Sequence, residues 1–95
     1  MRKGLRSLDI IKRASAGTME SSDVYVEIEP AQGLQIRVES VVYAQFGDAI
    51  RKAAEEVLRE QGITNASLRL VDRGALECVI RARVETAALR GREEA

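Results

Sequence analysis

The chain has no histidine and no tryptophan, and among its 95 residues there is one cysteine, one proline and one phenylalanine. A lone Cys78 excludes an internal disulfide, and without histidine the common zinc ligand sets cannot be assembled, so no metal site is expected. The same absence removes any Cys-His pair that could make Cys78 a catalytic nucleophile. Set among Leu76, Val79 and Ile80, Cys78 is expected to be a buried, inert thiol. With 3% aromatic residues, the core has to be built from Val, Ile, Leu and Ala. No apolar run approaches the roughly 20 residues that cross a bilayer as a helix, so no spanning segment is expected.

An excess of either charge is also missing. Fifteen basic and fifteen acidic side chains cancel, which argues against a general nucleic-acid binder, because phosphate contacts need a concentrated surplus of Lys and Arg. The distribution is uneven. Residues 1–13 carry five basic residues against Asp9 alone, or +4, and the remainder has ten against fourteen, or −4. Charges interrupt Leu5, Leu8, Ile10 and Ile11, so this basic start lacks the apolar stretch of a signal peptide and a cytoplasmic protein is expected. Residues 1–20 read as a flexible basic N-terminal arm, and residues 21–95 as one compact domain.

Within that domain the hydrophobic pattern changes period. Val24, Val26 and Ile28 alternate with Tyr25, Glu27 and Glu29, as in a half-buried strand. Pro30-Ala31-Gln32-Gly33 supplies turn chemistry, after which Leu34, Ile36 and Val38 alternate again, so the two strands read as a β-hairpin. Val42, Phe46, Ile50, Ala53, Val57 and Leu58 then fall on one stripe of a helix that should cover the hairpin's apolar face. Either Ser40 caps this helix near Val41, or Asp48 caps a later start after Gly47. Gly62 suits its end, and Ala66, Leu68 and Leu70 alternate in a third strand. Asp72-Arg73-Gly74 makes a break, and Leu76, Ile80, Val84 and Ala87 predict a second helix over about 75–90; the competing reading is a fourth strand over 76–81. The order ββαβα defines a small two-layer α+β domain with helices packed on one face of a small sheet.

Chemistry-bearing residues are few. Ser21 and Ser22 lie in a short polar stretch before the first strand, where a hydroxyl is reachable from outside, and Glu20 and Asp23 offer charges for docking. By spacing alone, a turn hydrogen bond is the plainer role for either serine. Asp48 is placed for local ion pairs with Arg51 or Lys52, and Asp72 with Gly74 reads as a capped turn. Glu77, Arg81, Arg83 and Glu85 form an ordinary solvated charge pattern.

Three blocks together carry a resemblance. They are Ala16-Gly17-Thr18 with Glu20-Ser21-Ser22-Asp23, Gln45-Phe46-Gly47-Asp48-Ala49-Ile50-Arg51, and Asp72-Arg73-Gly74-Ala75-Leu76-Glu77-Cys78. Over approximately residues 14–90 the chain resembles the acyl carrier (gamma) chains of citrate lyase, in the carrier family of citrate lyase and malonate decarboxylase. It is unlike the all-helical fatty-acid carriers, whose serine lies in an Asp-Ser-Leu tripeptide that is absent here. The resemblance implies a carrier subunit that catalyses neither reaction step, with phosphoribosyl dephospho-coenzyme A joined by a phosphodiester to Ser21 and carrying acetyl or citryl thioesters. It implies citrate lyase alpha and beta subunits as stable partners, and a holo-carrier synthase and an acetylating ligase as transient ones. Two other readings stand beside it: the carrier subunit of malonate decarboxylase, and a small protein-interaction module without a prosthetic group.

Overall fold

A computed structural model describes residues 9–41 and 43–93. Strands β1 (Ala14–Gly17), β2 (Val24–Glu29) and β3 (Leu34–Ser40) precede helix α1 (Tyr43–Glu60). Strand β4 (Ala66–Asp72) and helix α2 (Glu77–Arg92) follow. The sheet order is β1-β2-β4-β3, with β1–β2 and β2–β4 antiparallel and β3–β4 parallel.

The α+β class and the two-layer arrangement match the sequence reading, with one strand more. Alternation decides which face each strand buries. Val24, Val26 and Ile28 stand in register beside Asp72, Leu70 and Leu68, with Val38 and Ile36 on the far side of Leu70 and Leu68. This face forms the core with Ile50, Ala54, Val57 and Leu58 of α1 and Ile80, Val84, Ala87 and Ala88 of α2. The other face is polar. There Glu27 accepts from the Tyr25 hydroxyl at 2.8 Å and pairs with Arg13 at 2.9 Å and Arg69 at 3.6 Å, and Arg69 also reaches Glu39 at 3.1 Å. These donors hold the Glu27 carboxyl below its ordinary range, the Tyr25 hydrogen bond first among them.

The expected hairpin does not form. β2 and β3 are antiparallel, but β4 lies between them. Two strand spacings are about 10 Å, a gap that the four residues of the Pro30–Gly33 connection span easily. This connection is bound to the start of β4, where the Ala66 amide donates to the Gly33 carbonyl and the Gly33 amide to Asn65 Oδ1, both at 2.9 Å. Residues 66, 68, 70 and 72 are all buried to 1% exposure or less, which gives β4 the central place. A period-2 pattern specifies a strand's face but not its neighbour.

The boundary drawn at residue 20 falls inside the folded unit. β1 pairs along β2, Ile10 is buried, and the Ile11 and Lys12 amides both donate to the Gly91 carbonyl at the end of α2, at 2.9 and 3.0 Å. β1 has only four residues, three of them Ala or Ser, so it shows no clear alternation. Residues 1–8 of the expected arm lie outside the described residues, as does Val42 of the expected helical stripe.

α1 takes the earlier of the two starts, at Tyr43, and residues 77–92 are helical, excluding a fourth strand over 76–81. Three residues expected on buried stripes are exposed, one of them Leu76, which precedes α2 as its N-cap and is 72% exposed. Phe46 is 52% exposed, and the neighbouring buried position is Gly47. Cys78 is exposed too, because in the first turn of α2 the inward direction belongs to Ile80. No helix among the described residues is long and apolar enough to cross a membrane.

Candidate functional site

Ser21 lies at the tip of the β1–β2 connection. The Asp23 amide donates to the Glu20 carbonyl at 3.1 Å, closing a β-turn with Ser21 and Ser22 at its centre. Ser22 takes the left-handed conformation, φ 68°, where glycine or asparagine is usual, so its backbone carries strain. Ser21 is exposed, and its hydroxyl makes no hydrogen bond among the described residues. The serine is thus displayed outward on an ordered turn, neither activated by a base nor engaged in a cap.

Asp23 gives the turn its order. Arg83 of α2 grips its carboxylate with Nε to Oδ1 at 3.1 Å and Nη2 to Oδ2 at 2.9 Å. The Thr18 hydroxyl donates to Oδ2 and the Val24 amide to Oδ1, both at 2.7 Å. The Arg83 hydrogen bond is the largest of the effects that lower the carboxyl from 3.8 to about 2, followed by those from Thr18 and Val24. Asp23 is therefore engaged internally, not offered as a docking charge as its sequence position suggests. Gly17 is the second requirement. Its φ is 89°, and a Cβ built there would lie 1.9 Å from the Val24 carbonyl oxygen, so only glycine fits.

The turn is tied to the loop after β4. The Ser22 amide donates to the Arg73 carbonyl at 2.8 Å, and the Arg73 amide donates to the Asp23 carbonyl at 2.9 Å. Asp72, the buried carboxylate of this loop, accepts from the Ser40 hydroxyl at 2.8 Å and the Ala75 amide at 2.9 Å. It makes a capped turn, as its spacing implies, although the N-cap of α2 is Leu76. The Arg73 side chain is exposed and forms no ion pair among the described residues. Beyond this loop an apolar groove of about 300 Å³ opens between the N-terminal parts of α1 and α2, lined by Phe46, Ile50, Ala53, Ala75 and Ile80. The first and third sequence blocks therefore meet at Ser21, and the second supplies one wall of the groove.

Other expectations resolve differently. Arg51 donates to the Ile36 carbonyl instead of pairing with Asp48. Arg81 joins the two helices through Glu56 at 3.0 Å and Glu60 at 3.3 Å. Arg83, read as a solvated charge, is the residue that sequence reasoning missed. Its partner is 60 positions away, and the only local signal is its place beside Val84 at the edge of the buried helical stripe.

The site thus joins an exposed serine on a hydrogen-bonded turn, the loop of Arg73 and an apolar groove. The acyl carrier protein family model described as malonate decarboxylase delta subunit (MdcD) matches residues 11–91. The citrate lyase acyl carrier protein of Escherichia fergusonii is 48% identical over 89 residues, covering 92% of each chain. That of Haemophilus influenzae strain Rd is 48% identical over 93% of each chain, and the citrate lyase acyl carrier protein 2 of Salmonella typhimurium is 47% identical over 92% of each. Among solved structures, a chain of a Pseudomonas malonate decarboxylase hetero-tetramer in complex with malonate superposes with a TM-score of 0.73. It is 27% identical, over 83% of this chain and 82% of that one. The chain belongs to the acyl carrier family of citrate lyase and malonate decarboxylase.

Proposed function

We propose that this protein is the acyl carrier subunit of citrate lyase, with phosphoribosyl dephospho-coenzyme A attached to Ser21 through a phosphodiester. The near-full-length identity of 48% to carriers bearing that name supports the reading most directly. The residues present fit such a group. Ser21 offers an exposed hydroxyl that nothing among the described residues engages, and Arg73 brings a positive charge to the loop bonded to its turn. When bound, the group supplies a thiol for acetyl and citryl thioesters.

The chain's own part is presentation. Asp23, Arg83 and Gly17 hold the turn, and the exposed serine reaches a transferase that brings its own base. The alpha subunit then exchanges acetyl for citryl on the carrier, and the beta subunit cleaves the citryl carrier to oxaloacetate and acetyl carrier. A holo-carrier synthase and an acetylating ligase act on the subunit in passing, all in the cytoplasm.

Protein from its native host, or expressed with the complete set of attachment enzymes, is expected to carry the adduct on the peptide containing Ser21. Ser21→Ala is expected to abolish it. An adduct on Ser22, or one persisting in Ser21→Ala, would overturn the assignment. The malonate decarboxylase carrier is the second reading, favoured by the family model's description and by the superposed hetero-tetramer. Acetylated holo-protein mixed with the catalytic subunits of each system separates the two, since citrate cleavage is expected and support of malonate decarboxylation alone would refute the choice.

A further inference from the structure

We propose that the groove between α1 and α2 is the resting seat of the acylated end of the prosthetic arm, an inference that rests on the assignment of Ser21. Continuity is the first ground. The turn holding Ser21 is hydrogen-bonded through Ser22 and Asp23 to Arg73, and the residues on either side of Arg73, Asp72 and Gly74, are among those that line the groove. An arm leaving Ser21 therefore starts one hydrogen-bonded loop away from the groove.

Chemistry separates the arm's two ends. Its phosphates are anionic, and the Asp72 and Glu77 carboxylates in the groove's lining disfavour them there. The side chain of Arg73 is exposed and forms no ion pair among the described residues, on the loop bonded to the turn. The neutral amide chain and thioester at the other end match the walls made by Phe46, Ile50, Ala53, Ala75 and Ile80. A volume of about 300 Å³ is at the small end of ligand pockets, enough for a slender chain and a two-carbon acyl group.

The groove also accounts for an otherwise costly arrangement. Phe46 is half exposed at one wall, and Leu76, between the lining residues Ala75 and Glu77, is 72% exposed. Apolar walls around a thioester exclude the water that would hydrolyse it between visits to the catalytic subunits.

The test uses full-length holo-protein carrying a ¹³C-labelled acetyl group, with loading on Ser21 first established by peptide mass spectrometry. Nuclear Overhauser contacts are expected from the acetyl methyl to the Ile50 and Ile80 methyls and the Phe46 ring. The acetyl thioester should hydrolyse several-fold more slowly than acetyl-coenzyme A at the same pH. Ala49→Trp places an indole in the groove from an exposed helical position and is expected to remove both effects while loading is retained. Loaded Ser21 with neither the contacts nor the protection overturns the resting seat alone. Ser21 found unmodified after expression with the attachment enzymes overturns the carrier-site assignment and this inference with it.

Discussion

Asp23 shows how one side chain sets the geometry of a loop. Its carboxyl is held at about 2 instead of 3.8, so the unfolded chain binds that proton more readily than the folded one. The ionised group therefore contributes stability above the ordinary value near 4, and the contribution is lost as pH falls through about 2. Asp23→Asn is expected to be less stable than the parent by roughly 1–3 kcal/mol near neutrality, the scale of hydrogen bonds to charged groups. In chemical denaturation across pH 2–7 the gap should narrow as pH approaches 2; a constant gap would mean that the Arg83 clamp is not what orders the turn. Gly17→Ala tests the other support. With a Cβ driven into the Val24 carbonyl and φ at 89°, a loss of roughly 2 kcal/mol or more is expected in the same measurement.

At the level of elements, burial separates residues that the sequence pattern groups together. Leu70 is fully buried on the central strand, and Phe46 stands half exposed on α1. Leu70→Ala is expected to cost about 2–5 kcal/mol, and Phe46→Ala at most about 1 kcal/mol, by thermal or denaturant unfolding. Equal losses would place Phe46 in the core, where helical spacing first put it. Val24, Val26 and Ile28, the Leu68 and Leu70 pair, and the Ile80–Val84–Ala87 stripe were legible because each follows one period for its whole length. β1 was not, since Ala-Ser-Ala-Gly lacks an apolar alternation and is held by its pairing with β2 and by Ile10 nearby. The place of β4 between β2 and β3 was also illegible, because pairing is decided by the whole sheet and not by any one strand. The site shows the same division. The turn and its exposed serine follow from local residue types, whereas the Arg83 clamp joins positions that meet only in the folded chain.

On the scale of the molecule, the two faces of the sheet have separate duties. One is filled by the helices and forms the core. The other is a polar surface crossed by the Arg13–Glu27–Arg69–Glu39 chain of charges. A sheet covered on one side only is stable here because its open side alternates to polar residues, on the parallel β3–β4 pair as on the antiparallel ones. The Ser21 turn and the Arg73 loop lie together at one end of the sheet, where β1 gives way to β2 and β4 to α2. The rest of the domain holds that end in shape.

The hydrogen bonds from Ile11 and Lys12 to Gly91 have a practical side. They bring the incoming and outgoing strands of the polypeptide to the same pole, at the last turn of α2. Sixteen helical residues, about 24 Å at 1.5 Å each, separate that pole from the loop beside Ser21. A tag, a fluorophore or a bead attached at the exposed Lys12 or Glu93 would sit behind the domain like the grip of a tool, on the side away from Ser21.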